Sequence, residues 1–235
     1  MLAGHLVPPA AGWHRPLPLI APASVVRMTF PISPDKLVDT ADRLGAIDAV
    51  KRKLVKQPDP AAAKLVTVLE ELSKIYGAME EELTTYLSLF FDDTDPKQLA
   101  RERAALARLE GGAIRARMSE ARGRCSKIWN IYTRYLTPWF DRVLDPIETE
   151  RLRMLFRELS EIDSHMVDAI EEVAGWLTAE ARTTGDLVER GDFADANARV
   201  LAARRQLRPL RERVADAMVQ IRRLEGDFIE ISGAV

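Results

Sequence analysis

An all-α fold is predicted for this 235-residue chain: an elongated antiparallel bundle of about five long helices with coiled-coil-like heptad packing. Three observations predict it. The first is an apolar line that recurs every three or four residues almost to the C-terminus. It comprises Phe193, Ala196, Val200, Ala203, Leu207, Leu210, Val214, Ala217, Ile221, Leu224, Phe228 and Ile231. Steps that alternate three and four without a slip form the seam of a helix packed at a shallow angle on others. The second is that similar lines repeat upstream, with no strand-like alternation competing. The third is charge. Net charge is positive over 36–56, negative over 60–95, positive over 96–142, negative over 145–192 and positive over 193–235. Helices joined by short loops lie side by side, so each would meet oppositely charged neighbours. One exposed pair is worth only about a few tenths of a kcal/mol. The pattern serves more to disfavour wrong pairings.

The elements follow in order. Ser33-Pro34-Asp35 starts a first, weaker helix with Leu37, Ala41, Leu44, Ile47 and Leu54 on its seam. Gln57-Pro58-Asp59-Pro60 separates it from a second, with Leu65, Leu69, Leu72, Tyr76, Met79, Leu83, Tyr86 and Phe90. Asp95-Pro96-Lys97-Gln98 is a start signal for the third. Asp95 can cap, proline suits the first helical position, and Gln98 stands where a capping box wants it. The third seam is Ile114, Met118, Ala121, Cys125, Ile128, Tyr132, Tyr135 and Trp139. Extended backwards it gives Gly111, Ala107, Ala104 and Ala100, all small, which predicts close backbone approach. Pro138 and Pro146 bracket the turn into the fourth helix, with Leu155, Leu159, Ile162, Met166, Ile170, Val173 and Leu177. Thr184-Gly185 and Gly191-Asp192 bracket the turn into the fifth, with Asp192 as its cap. Pro209 lies inside that helix and should bend it, because the seam continues in phase on both sides.

Residues 1–35 are a different material, with seven of the 13 prolines. They read as a proline-rich, disordered N-terminal extension, and 36–235 as one helical-bundle domain. Met28 is an alternative start, in which case 1–27 belong to no folded part. The other reading is a proline-rich tail that docks in a partner groove. No secretory signal is read, because a basic start is missing and prolines break the apolar run. No membrane span is expected, for the same prolines and for length.

Composition sets further limits. The net charge of −2 gives the whole molecule no bias towards nucleic acid or anionic membrane. The single cysteine, Cys125, lies on a seam, which excludes an internal disulfide and fits a reducing, cytoplasmic setting. Two basic stretches, 97–127 and 199–223, would suit nucleic acid only on one open face. The alternating charges favour pairing with the acidic segments instead.

Candidates for chemistry are few. His165 has Glu161 one turn before it and Asp163 two residues before it. A helical-bundle di-iron site needs two Glu-x-x-His units and two further glutamates, so the spacing is wrong. Asp92-Asp93-Thr94-Asp95 could hold a hard cation. The competing reading is a solvated loop with a capping aspartate. No Gly-rich phosphate loop follows a strand. No cofactor and no metal ligand set is assigned.

Aromatic residues concentrate in Trp129, Tyr132, Tyr135, Trp139 and Phe140, and this stretch is apolar on most sides. Either it is the most central helix, or one face is covered by a ligand, the tail or a second subunit. It is the candidate interaction or ligand face. No base, nucleophile and oxyanion donors can be assembled from the sequence. The functional expectation is therefore a non-enzymatic helical scaffold or adaptor. It would work through a protein partner or self-association, for example as regulatory partner of a separate effector. The alternative is a small-molecule-binding bundle with an aromatic-lined pocket.

Overall fold

The computed structural model describes residues 44–55, 60–111, 113–159 and 165–232, and among them there are helices and connections but no strand. Helix α1 spans Gly45–Leu54, α2 Ala61–Leu87, α3 Pro96–Glu110 and α4 Ala113–Ile131. A π-helical turn, Tyr132–Leu136, leads into α5, Thr137–Val143. Then come α6, Pro146–Glu158, α7, His165–Glu189, and α8, Phe193–Ser232. The class is all-α. The extension 1–35 and the start of the first expected helix, with Leu37 and Ala41, lie outside the described residues, as do Glu161, Ile162 and Asp163. The side chains of Met118, His165 and Met166 lie outside them too.

The 40-residue α8 is the backbone of the molecule, about 60 Å long. Ala196 through Phe228 of its seam are buried, Leu210 at 2% exposure and Ile221 at 0%. Each large side chain among them, such as Leu210 or Ile221, contributes roughly 1.5–3 kcal/mol by leaving water. The helix passes through Pro209 without ending. Its chief neighbour is α2, which runs antiparallel to it. Asn197 meets Phe91, Arg204 meets Leu87 and Leu89, and Met218 lies opposite Gly77. Helix α4 is antiparallel to α2 in turn, since Lys127 meets Glu71 and Arg117 meets Glu81. Helix α7 lies against α3, α4 and α8. Helix α1 runs in the same direction as α8, with Asp48 on Arg223 and Lys51 on Asp227.

The stretch expected to form one third helix is carried by α3, α4, the π turn and α5. The first break is at Gly111, whose backbone is extended (φ −70°, ψ 172°). Phase is lost there. Ala100, Ala104, Ala107 and Gly111 are exposed, and α3 buries Leu106 and Leu109 instead. The close approach expected of the small residues does not occur. A similar slip affects Phe90, which is 53% exposed because α2 ends at Leu87. Phe91 is buried in its place. The Asn197 side chain pins it there, accepting from the Phe91 N–H and donating to the Phe91 carbonyl, each at 2.8 Å.

Helix starts follow local chemistry. The Asp95 carboxylate accepts the N–H groups of Lys97 (3.0 Å) and Gln98 (3.3 Å), and Pro96 sits in the first turn. The Gln98 side chain does not close a capping box. It donates to the Phe90 carbonyl at 3.0 Å, tying the preceding loop to α3. Asp145-Pro146 repeats the device for α6, with Ile147 and Glu148 both at 2.9 Å from Asp145. Between α7 and α8 the chain turns through Gly191 at φ 82°, a left-handed conformation that a residue with Cβ rarely adopts.

Candidate interaction face around the aromatic segment

Pro138 explains the π turn. It has no N–H to offer the Arg134 carbonyl, and its ring would crowd that carbonyl in a regular helix. The turn before it widens, so the Thr137 N–H bonds the Tyr132 carbonyl, five residues back. The Thr137 hydroxyl donates to the same oxygen at 3.1 Å. One residue is thereby added to the turn. After Tyr132 the buried position becomes Leu136, and Tyr135 is 53% exposed.

The five aromatic residues therefore part company. Tyr132, Trp139 and Phe140 are buried, Trp129 is half-buried, and Tyr135 stands in solvent. Tyr132 stacks on Phe156 of α6, with ring centroids 4.4 Å apart and planes 9° from parallel. Phe140 lies 6.3 Å from both of those rings and 5.7 Å from Trp139. Trp129 leans on Tyr132 at 5.4 Å. Tyr135 faces α2, where the Lys64 ammonium lies 4.8 Å from its ring centroid. Tyr132, Tyr135 and Trp139 thus do not share one seam, and these rings largely cover one another.

Three carboxylates missed by pattern reading are buried between helices. Glu71 of α2 accepts from Lys127 (2.8 Å), Arg124 (2.6 Å) and Lys74 (3.3 Å). Burial works to raise its pKa, but the hydrogen bonds from Lys127, Arg124 and Lys74 prevail and hold it at about 2. Glu82, about three turns further along the same face of α2, meets Arg117 at 3.0 Å and Arg108 at 3.3 Å. Glu180 of α7 is held by Arg199 of α8 in a two-pronged contact of 2.7 and 2.8 Å. The Tyr86 hydroxyl reaches the same Glu180 at 3.5 Å and Thr184 at 3.0 Å. Burial pushes Tyr86 up to about 12. Each helix signals only that a polar residue flanks its seam; the partner is on another helix, and no spacing rule reports that.

The basic stretches spend many of their charges in this way. Arg108, Arg117, Arg124 and Lys127 face acids of α2, and Arg122 faces Glu171 of α7. Arg182 pairs with Glu110 at 3.0 Å. On α8, Arg199 is committed to Glu180, and Arg204 donates to the Leu87 and Leu89 carbonyls.

The acidic loop is organised by its own chain. Asp92 accepts from the Thr94 hydroxyl (2.7 Å) and the Thr94 N–H (2.9 Å), which lower its pKa. Asp95 is the cap of α3, and Asp93 is exposed. Among the described residues no group of three or more His, Cys, Asp or Glu is placed to hold a metal ion, and no helix is long and apolar enough to cross a membrane.

Among the outward apolar residues, one group lies on α6 and its surroundings. Ile147 is 68% exposed and Met154, seven residues on, 46%. Two turns of helix put both on one face. Val55, 61% exposed, ends α1, which packs on α6. Fold and contacts together define an all-α helical bundle protein. No family model, no curated protein and no solved structure matches the chain.

Proposed function

We propose that the chain is a non-enzymatic helical scaffold or adaptor that works by protein–protein contact in the cytoplasm. One form of this role is the regulatory partner of a separate effector. The observation that carries the reading is the outward pair Ile147 and Met154 with Val55 beside α6. Large apolar side chains grouped on a helix face suit a partner surface. Trp129 and Tyr135 flank the same aromatic core and are residue types that anchor interfaces. The pairing of arginines with buried or facing acids favours a protein partner over nucleic acid. The alternative, a small-molecule site lined by the aromatic segment, has less support, because Tyr132, Phe140 and Phe156 pack on one another.

The test compares affinity purification from the native host with the full chain and with Ile147→Asp/Met154→Asp. The expected result is one protein captured by the first and lost from the second, at unchanged melting temperature. Identical captures would sink the reading. Trp129→Ala and Trp139→Ala refine it. Trp139 should cost about 3–5 kcal/mol of stability as a cavity mutant. Trp129 should cost much less and act on association.

A further inference from the structure

Helix α8 has a second face, opposite its seam, that nothing in the described chain covers. Leu201 (44% exposed) and Val219 (68%) lie on it, eighteen residues or five helical turns apart. Between them the same face carries Arg205, Arg208, Glu212 and Asp216, all exposed. Arg208 and Glu212 form an intrahelical pair at 2.8 Å, which keeps both extended along the surface.

This order of residues is self-complementary. Place a two-fold axis at residue 210 and lay a second α8 antiparallel on the first. Leu201 then meets Val219 of the second copy, and Val219 meets its Leu201. Arg208 meets Glu212 and Glu212 meets Arg208, while Arg205 comes beside Asp216. Sliding the copy by seven residues one way brings Leu201 onto Glu212 and Arg205 onto Arg208. Sliding it the other way brings Arg208 onto Val219 and Arg205 onto Arg222. A parallel pair sets Arg208 on Arg208. One register thus satisfies the apolar and charged positions together, as an isologous contact requires. We infer that the chain self-associates as an antiparallel α8–α8 dimer about residue 210. The inference rests on the reading of the chain as an interaction module and names a second copy as one of its partners.

Sedimentation velocity of the full chain over a concentration series tests it, and a monomer–dimer equilibrium is expected. Glu212→Arg places like charges together twice per dimer and should weaken association by about 100-fold. Arg208→Glu should do the same, and the double exchange Arg208→Glu/Glu212→Arg should restore the dimer. Cysteine cross-linking reads the register directly. Leu201→Cys/Val219→Cys should give a covalent dimer under mild oxidation. Leu201→Cys alone should not, since its copy would lie ~27 Å away along the helix. All these positions are exposed, and thermal melts confirm that the variants fold. A chain that stays monomeric throughout overturns the inference and leaves the α6 capture experiment standing. A dimer indifferent to Glu212→Arg, or one cross-linked equally by Leu201→Cys alone, overturns it as well.

Discussion

Glu71 and Glu180 are both buried carboxylates between helices, and they are neutralised in opposite ways. Glu71 sits on α2 under three cations, Lys74, Arg124 and Lys127. Two of those are lysines whose side chains are 52% and 55% exposed. Glu180 has one cation, Arg199, which is 20% exposed and bound through two nitrogens, and a neutral hydroxyl pair from Tyr86 and Thr184 behind it. The first site is redundant and wet at its rim. The second depends on a single planar group and is closed. Removing one member should therefore be tolerated at Glu71 and costly at Glu180, although the Glu71 site holds more charge. A count of ion pairs would give the opposite ranking.

The largest expected effect tests that ranking. Arg199→Ala leaves Glu180 buried without a counter-charge and should cost about 3–5 kcal/mol in chemical denaturation. A loss as small as that of Lys74→Met would erase the distinction.

Acid titration should separate the sites next. The folded pKa of Glu71 is about 2, below its ordinary 4.5. A depressed carboxylate contributes stability that is fully present above the unfolded value. That contribution disappears as pH falls from about 4.5 towards 2, and should amount to on the order of 2 kcal/mol. Wild-type stability should drop more steeply across this window than that of Glu71→Gln; parallel curves would show that the three cations do not hold the charge.

Smaller still is Tyr86→Phe, which leaves Thr184 without its partner and should cost about 1 kcal/mol. Tyr86 also gives the alkaline counterpart. Its folded value of about 12 exceeds the ordinary 10, so its contribution is present below pH 10 and is lost as pH rises towards 12. Tyr86→Phe should flatten that part of the wild-type curve. The smallest effect is Lys74→Met, under about 0.5 kcal/mol, because Lys127 and Arg124 remain. A melting shift of several degrees would mean that the redundancy is only apparent.

How far these features were legible depends on how many helices each involves. The α8 seam can be read from one helix alone, because an unbroken phase of three and four carries direction from Ala196 to Phe228. The aromatic stretch follows the same rule as far as Tyr132 and then departs from it, since period counting assumes a regular turn and Pro138 forces a wide one. Gly111 defeats the extension through Ala100, Ala104 and Ala107 for the same reason. The start of α6 is readable in the same way, because Asp145-Pro146 copies Asp95-Pro96. Glu71, Glu82 and Glu180 were not readable as buried. Segment charges announce that α2 and α7 need basic neighbours, but which carboxylate lies inside is decided by the meeting of two or three helices.

The wide turn at Tyr132–Leu136 has a consequence for sequence length. It behaves as a one-residue insertion absorbed inside a helix. Every residue beyond it is set about 100° from where a regular helix would place it. Replacing Pro138 by alanine at unchanged length would let the helix close normally and would swing Trp139 and Phe140 away from Phe156, whereas removing one residue as well would bring them back. The match between the length of this short stretch and its widened turn, more than the identity of any one ring in it, keeps the aromatic core assembled.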